Sequence, residues 1–146
     1  IGTLRWICGG EVVGIDSVAR RVGTPDLNFF GATLRFDNGA VGVLLNSWTS
    51  GRRIFRVSMH APGICAEAEH EREGVLFADG DTLGERFDPH GVAGSAQFHV
   101  AGGFQARHAE FVDAVRAGTL PSSHFGDALK TMEVAERILA RHLLEG

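Results

Sequence analysis

The stretch LRFDNGAVGVL, residues 34–44, constrains the fold more than any other part of the chain. Asp37-Asn38-Gly39 sits between two β-rich runs, FFGATLRF and AVGVLLNSW. A tight hairpin turn needs positive φ, which Asn and Gly tolerate at little steric cost, so the two runs are predicted to pair as an antiparallel hairpin. Other short runs alternate with period two. EVVGIDSVARRV sets Val13, Ile15, Ser17 and Ala19 on one face and Val12, Gly14, Asp16 and Val18 on the other. RIFRVSMHA, ICAEAEHE, VLFAD and AQFHV continue the pattern, separated by Pro-Gly or Gly-rich turns. Strands on short connections must be antiparallel.

The periodicity then changes. GGFQARHAEFVDAVRAG places Phe104, His108, Phe111, Val112 and Val115 on one helical stripe, with Gly118 as a stop. After TLPSS, a second helix carries Leu129, Met132, Val134, Ala135, Ile138 and Leu139 near helical period. Ser123 is its expected N-cap and Asp127 suits the positive end of its dipole; Arg141 and His142 suit the negative end. Glu133 and Arg137 have the spacing of an i,i+4 ion pair. At the other end of the chain, IGTLRWICGG reads as the last turns of a helix that stops at Gly9-Gly10.

Strands segregated from helices predict an α+β fold. The expected architecture is a single open, predominantly antiparallel sheet of about six or more strands, with helices packed on one face. Leu44, Trp48, Phe55, Val57 and Ile64 then supply much apolar surface for the other face. Such a face implies a partner, so self-association through the sheet is expected.

At 146 residues the chain is the size of one ordinary domain, and residues 1–146 are read as one. A net charge of −4 opposes a nucleic-acid role, which needs a basic face. No apolar run is long enough for a membrane span. Cys8 and Cys65 fit no paired zinc spacing and read as reduced, buried thiols of a cytoplasmic protein. None of the seven histidines stands in an HExxH pair. There is no Gly-x-Ser-x-Gly elbow, and GGEVVG precedes a strand where a dinucleotide fingerprint must follow one. The polar stretch TSGRRIF is the strongest binding candidate. Arg52 and Arg53, close in sequence to Trp48, can hold sugar hydroxyls, a carboxylate or a phosphate; the alternative is that they face water or pair with Glu67 and Glu69.

Taken together, LRWICGGEVV, ATLRFDNGAVGVL, GRRIFRVSMHAPGICAEAE and the closing segment from GGFQARHAEF to VAERIL resemble the C-terminal domain of the Gfo/Idh/MocA oxidoreductases. The resemblance covers nearly the whole chain. It implies a C-terminal substrate-binding and oligomerisation domain that follows an NAD- or NADP-binding Rossmann domain lying outside these residues. The implied reaction is hydride transfer between the nicotinamide and a sugar or cyclitol hydroxyl. The helix-flanked side of the sheet would meet the cofactor domain, and the free side would build a homo-oligomer. Similar proteins carry a proton-transferring His just before the position of Ile1, and Gly2 stands where an Asp is frequent. The lysine of their Glu-Lys-Pro motif lies in the Rossmann domain. No catalytic residue and no metal ligand is therefore expected within this chain, which alone should be inert. By the same resemblance Trp48, Arg52 and Arg53, and the start of the last helix at His124, Phe125 and Asp127, are the expected substrate contacts. The alternative is a non-catalytic module that binds a sugar-like ligand or drives association.

Overall fold

The computed structural model describes residues 1–143, the side chains of Arg141 and Leu143 excepted. In chain order it contains helix α1 (Gly2–Cys8), strands β1 (Val12–Arg20), β2 (Phe29–Phe36), β3 (Val41–Ser47), β4 (Arg56–Ala61), β5 (Ile64–Glu69), β6 (Glu73–Ala78) and β7 (Glu85–Phe87), then helices α2 (Pro89–Ala93), α3 (Phe98–Ala101), α4 (Phe104–Ala117) and α5 (Phe125–Leu143). Every ladder is antiparallel. The α+β class is as expected, but the strands form two sheets, β1-β2-β3 and β4-β5-β6-β7, where one had been expected. Residues 48–55, with Thr49-Ser50-Gly51 at their centre, are turn and bend, so β3 does not run on into a pairing with β4. The chain divides at the same place into two units, residues 1–51 with 122–146, and residues 52–121.

In the first unit, Ala32, Leu34 and Phe36 alternate along one face of β2 and are buried against Val134 and Ile138 of α5. Leu34 is fully buried. Ile15 and Ser17 of β1 and Gly42 and Leu44 of β3 lie beside them in register. A side chain at Gly42 would meet Phe36 and Leu4, so the bare backbone there lets α1 close on the sheet. Leu44 belongs to this core, not to the free face where the sequence had placed it. A register shift between Val12 and Gly14 corrects the other strand: the bulge turns Val12 inward with Ile15 and leaves Val13 exposed. The free face therefore carries Val41, Val43 and Leu45.

The predicted hairpin is present as a three-residue loop in which Gly39 alone has positive φ, at 86°. The Asn38 amide donates to the Cys8 carbonyl at the end of α1, and Asp37 accepts the Glu11 N–H. Helix α5 is tied along β1. Ser17 Oγ donates to the Ile138 carbonyl, Arg137 donates to the Val12 carbonyl, His142 meets Ser17, and Lys130 pairs with Glu11. Arg137 is thus spent on β1, in place of the expected pairing with Glu133. Nor is Ser123 the cap: the Gly126 N–H donates to His124 Nδ1, and the His124 carbonyl accepts from Asp127 and Ala128.

In the second unit, Pro62-Gly63 turns β4 into β5, with Gly63 at φ 74°. Alternation leaves Val57, Met59, Ile64, Ala66 and Leu76 on one face and Arg56, Ser58, Glu67 and Glu69 on the other. No residue of this sheet is buried. AQFHV is not a strand. The Gln97 carbonyl accepts from Val100 and Ala101, and Phe98 packs on Phe104 at 5.3 Å between ring centres, so local bonds take the segment into α3. Helix α4 forms as predicted, with Gly118 as its left-handed cap. Its Phe104, Phe111, Val112 and Val115 nevertheless remain exposed.

Candidate functional site

The structure distributes the six predicted contact residues over three local settings. Trp48, at the end of β3, is 73% exposed and meets Phe30 edge-on at 6.3 Å. His124, Phe125 and Asp127 open α5. The His124 imidazole is engaged in capping, and Phe125 is 95% exposed. Asp127 pairs at 2.9 Å with Arg5 of α1, whose side chain is only 9% exposed. Arg5 also donates to the Asp127 carbonyl and to Thr131 Oγ1, so Asp127 docks one helix on another. Arg52 and Arg53 precede β4. Arg53 makes no ion pair among the described residues, whereas Arg52 donates to Glu69 Oε1 at 2.8 Å. For Arg52, then, the pairing considered from the sequence is the geometry found.

Glu69 gathers more than Arg52. Arg56 donates to its Oε2 at 3.0 Å, and Arg72 Nε lies 3.2 Å from Oε1. Hydrogen bonds from Arg52 and then Arg56, reinforced by the charges of Arg52 and Arg72, hold the Glu69 carboxyl down at about 2. The same bond raises Arg52 above the ordinary guanidinium value. Arg56 and Arg72 were missed in the sequence. A signal for Arg56 existed: counting outward from the two-residue turn at Pro62-Gly63 sets Arg56 opposite Glu69. Arg72 enters through the loop between β5 and β6, where Glu71 takes positive φ.

Two shallow grooves lie elsewhere. One of about 300 Å³ runs beside α5 between Glu11, Lys130, Glu133 and Arg137. Another of about 500 Å³ lies at the start of α4, lined by Gly102, Gly103, Phe104 and His108. Neither contains a predicted contact residue. Both cysteines are free, and burial pushes the Cys8 thiol up, away from the reactive thiolate. Among the described residues no group of three His, Cys, Asp or Glu side chains could hold a metal ion, and no helix is long and apolar enough to cross a membrane.

The described residues do not form a cradle that fits a dinucleotide. Its cradle needs a strand, a glycine-rich turn and a helix whose N-terminus meets the pyrophosphate. Here Gly9-Gly10 follow a helix and lead into β1, and Gly102-Gly103 join two helices.

No family model and no curated protein matches the sequence. Solved structures do match. UDP-N-acetylglucosamine 3-dehydrogenase GnnA from Acidithiobacillus ferrooxidans superimposes with a TM-score of 0.78 at 16% identity, over 94% of this chain and 42% of its own. Dehydrogenase (MviM) from Clostridium difficile gives 0.74 at 15%, over 96% and 44%. Aldose-aldose oxidoreductase from Caulobacter crescentus gives 0.73 at 16%, over 95% and 41%. The chain thus spans less than half the length of these proteins, and at such identities the likeness is one of fold. All three are named as dehydrogenases or oxidoreductases, and this chain shares with part of each the antiparallel α+β architecture expected from the sequence resemblance, with its strands in two sheets in place of the single sheet expected.

Proposed function

We propose that residues 1–146 are the substrate-binding and oligomerisation domain of an NAD- or NADP-dependent oxidoreductase acting on a sugar or cyclitol hydroxyl, with the dinucleotide held by chain outside these residues. The observation that carries this reading is the superposition of 94% of the chain on part of a sugar-nucleotide dehydrogenase, together with the lack of fit to a dinucleotide among its own residues. In this reading the chain binds and orients the substrate, and the groups that move the hydride and the proton lie elsewhere. Trp48 offers an exposed aromatic face to the apolar side of a sugar ring. Arg52 and Arg53 suit the oxygens of such a substrate. His124, Phe125 and Asp127 approach the substrate from the start of α5. The exposed stripe of Phe125, Leu129 and Met132, with Trp6, suits docking of the cofactor-holding part. Val41, Val43 and Leu45 suit a homo-oligomer in a cytoplasmic enzyme.

The test is nicotinamide reduction, with NAD or NADP, by the full-length protein in which this chain would follow the dinucleotide-holding part, across a panel of aldoses and cyclitols. Turnover of at least one supports the reading. Binding of a sugar by calorimetry with no turnover of any would instead favour a non-catalytic sugar-binding or association module. Val43→Asp should lower the sedimenting mass; an unchanged mass would remove the oligomer face from the proposal.

A further inference from the structure

We propose that Arg52, Arg56 and Arg72, gathered on Glu69, form an anion site that takes a phosphate group. Three guanidiniums converge on one carboxylate, which leaves two positive charges uncompensated. Glu69 is only 13% exposed, whereas the three arginine side chains are 47–64% exposed. Each guanidinium has five N–H donors in a planar fork, and the contact to Glu69 leaves most of them open to solvent. A carboxylate serving only to anchor a sheet edge needs one partner. Here it orders three cations that would otherwise repel and splay apart, so an incoming anion meets forks already held in place. Glu69 is ionised throughout the neutral range, and the guanidiniums hold its carboxyl down further, at about 2.

The surrounding charges fit the same conclusion. Arg53 is next in the chain to Arg52 and adds a fourth cation. Of the acids on this face, Glu73 is held by Arg86 at 2.8 Å, and Glu67 stands opposite Ser58, two pairs further along the ladder. In the loop, Glu71 lies 3.6 Å from His70. A phosphate dianion neutralises the two charges that Arg52, Arg56 and Arg72 leave over on Glu69 and suits the bidentate fork geometry, whereas a sugar carboxylate neutralises one of them. That the phosphate is carried by the substrate, as a sugar phosphate or a nucleotide sugar, rests on the oxidoreductase reading above. That the cluster takes phosphate does not.

The experiment titrates inorganic phosphate, pyrophosphate and glucuronate into the protein at low ionic strength, following the arginine side-chain NMR resonances. Saturable binding is expected in the order pyrophosphate, phosphate, glucuronate. Arg56→Gln and Arg72→Gln should each weaken phosphate by about threefold to tenfold, as loss of one exposed charge-assisted hydrogen bond implies. Arg86→Gln, on the same face but paired with Glu73, should change nothing. Absence of saturable binding, or equal binding by the folded Arg56→Gln/Arg72→Gln double variant, overturns the site. A second arm compares phosphorylated with neutral sugars in nicotinamide reduction by the full-length protein that carries the dinucleotide-holding part. A lower KM for the phosphorylated sugar, lost in the double variant, supports its assignment to substrate. Phosphate binding without that preference overturns the assignment. Phosphate binding with no sugar turned over overturns the oxidoreductase reading and leaves the site standing.

Discussion

The sheet of β1–β3 and the sheet of β4–β7 are written in the same alphabet and end in opposite states. In both, apolar and polar residues alternate on antiparallel ladders. Ala32, Leu34 and Phe36 lie buried beneath Val134 and Ile138, whereas Val57, Ala66 and Leu76 sit on a face with no fully buried member. The difference is the cover. Helix α5 presents Val134 and Ile138 on one side and is fastened to β1 by Ser17, Arg137 and His142. Alternation says that a face wants covering; it does not say what covers it.

Leu34→Ala gives the largest expected effect. Removing a fully buried side chain from the roofed sheet should cost about 2–5 kcal/mol, seen as a lower midpoint in urea unfolding. Asn28→Ala comes next. This buried amide accepts from the Val22 N–H and donates to the Val22 carbonyl and Thr24 Oγ1, so it shapes the loop between β1 and β2. Its loss should cost about 1–3 kcal/mol and expose those amides to hydrogen exchange. Leu76→Ala should cost less, about 1–2 kcal/mol, because its side chain is only partly buried. A larger loss at Leu76 than at Leu34 would break the comparison and mean that the second sheet is covered in solution.

The smallest effect on stability is expected at Glu69, where the signature is a titration. Its carboxyl is lowered to about 2 in the folded chain, so its contribution is fully present above the ordinary carboxylate range. That contribution is lost as pH falls from about 4.5 toward 2. The side-chain carboxyl resonance should show the depressed midpoint, and Arg52→Gln should raise it. An ordinary midpoint in the unsubstituted protein would show that the three arginines do not hold the carboxylate.

Local chemistry made several elements legible. The β2–β3 hairpin follows from Asn38-Gly39, α4 ends at Gly118, and the Pro62-Gly63 turn sets Arg56 against Glu69. Segment 96–100 was misread because five residues are too few for periodicity to separate a strand from a single helical turn, and bonds to the Gln97 carbonyl take it into α3. The bulge at Val13 moved one residue to the opposite face, which no pattern of period two can foresee. At the candidate site, the pairing of Arg52 with an acidic strand was open to sequence reasoning. The entry of Arg72 depends on a loop conformation and was not.

The sequence by itself determined the α+β class, the antiparallel strands and the closing helices, because these follow from residue periodicity and turn preference within a few positions of the chain. Tertiary structure alone decided that the strands divide into two sheets and that α5 packs on β2 of the first. It also decided that three arginines meet on one carboxylate. Those outcomes depend on side chains far apart in the sequence competing for the same partner, and local periodicity carries no record of who wins.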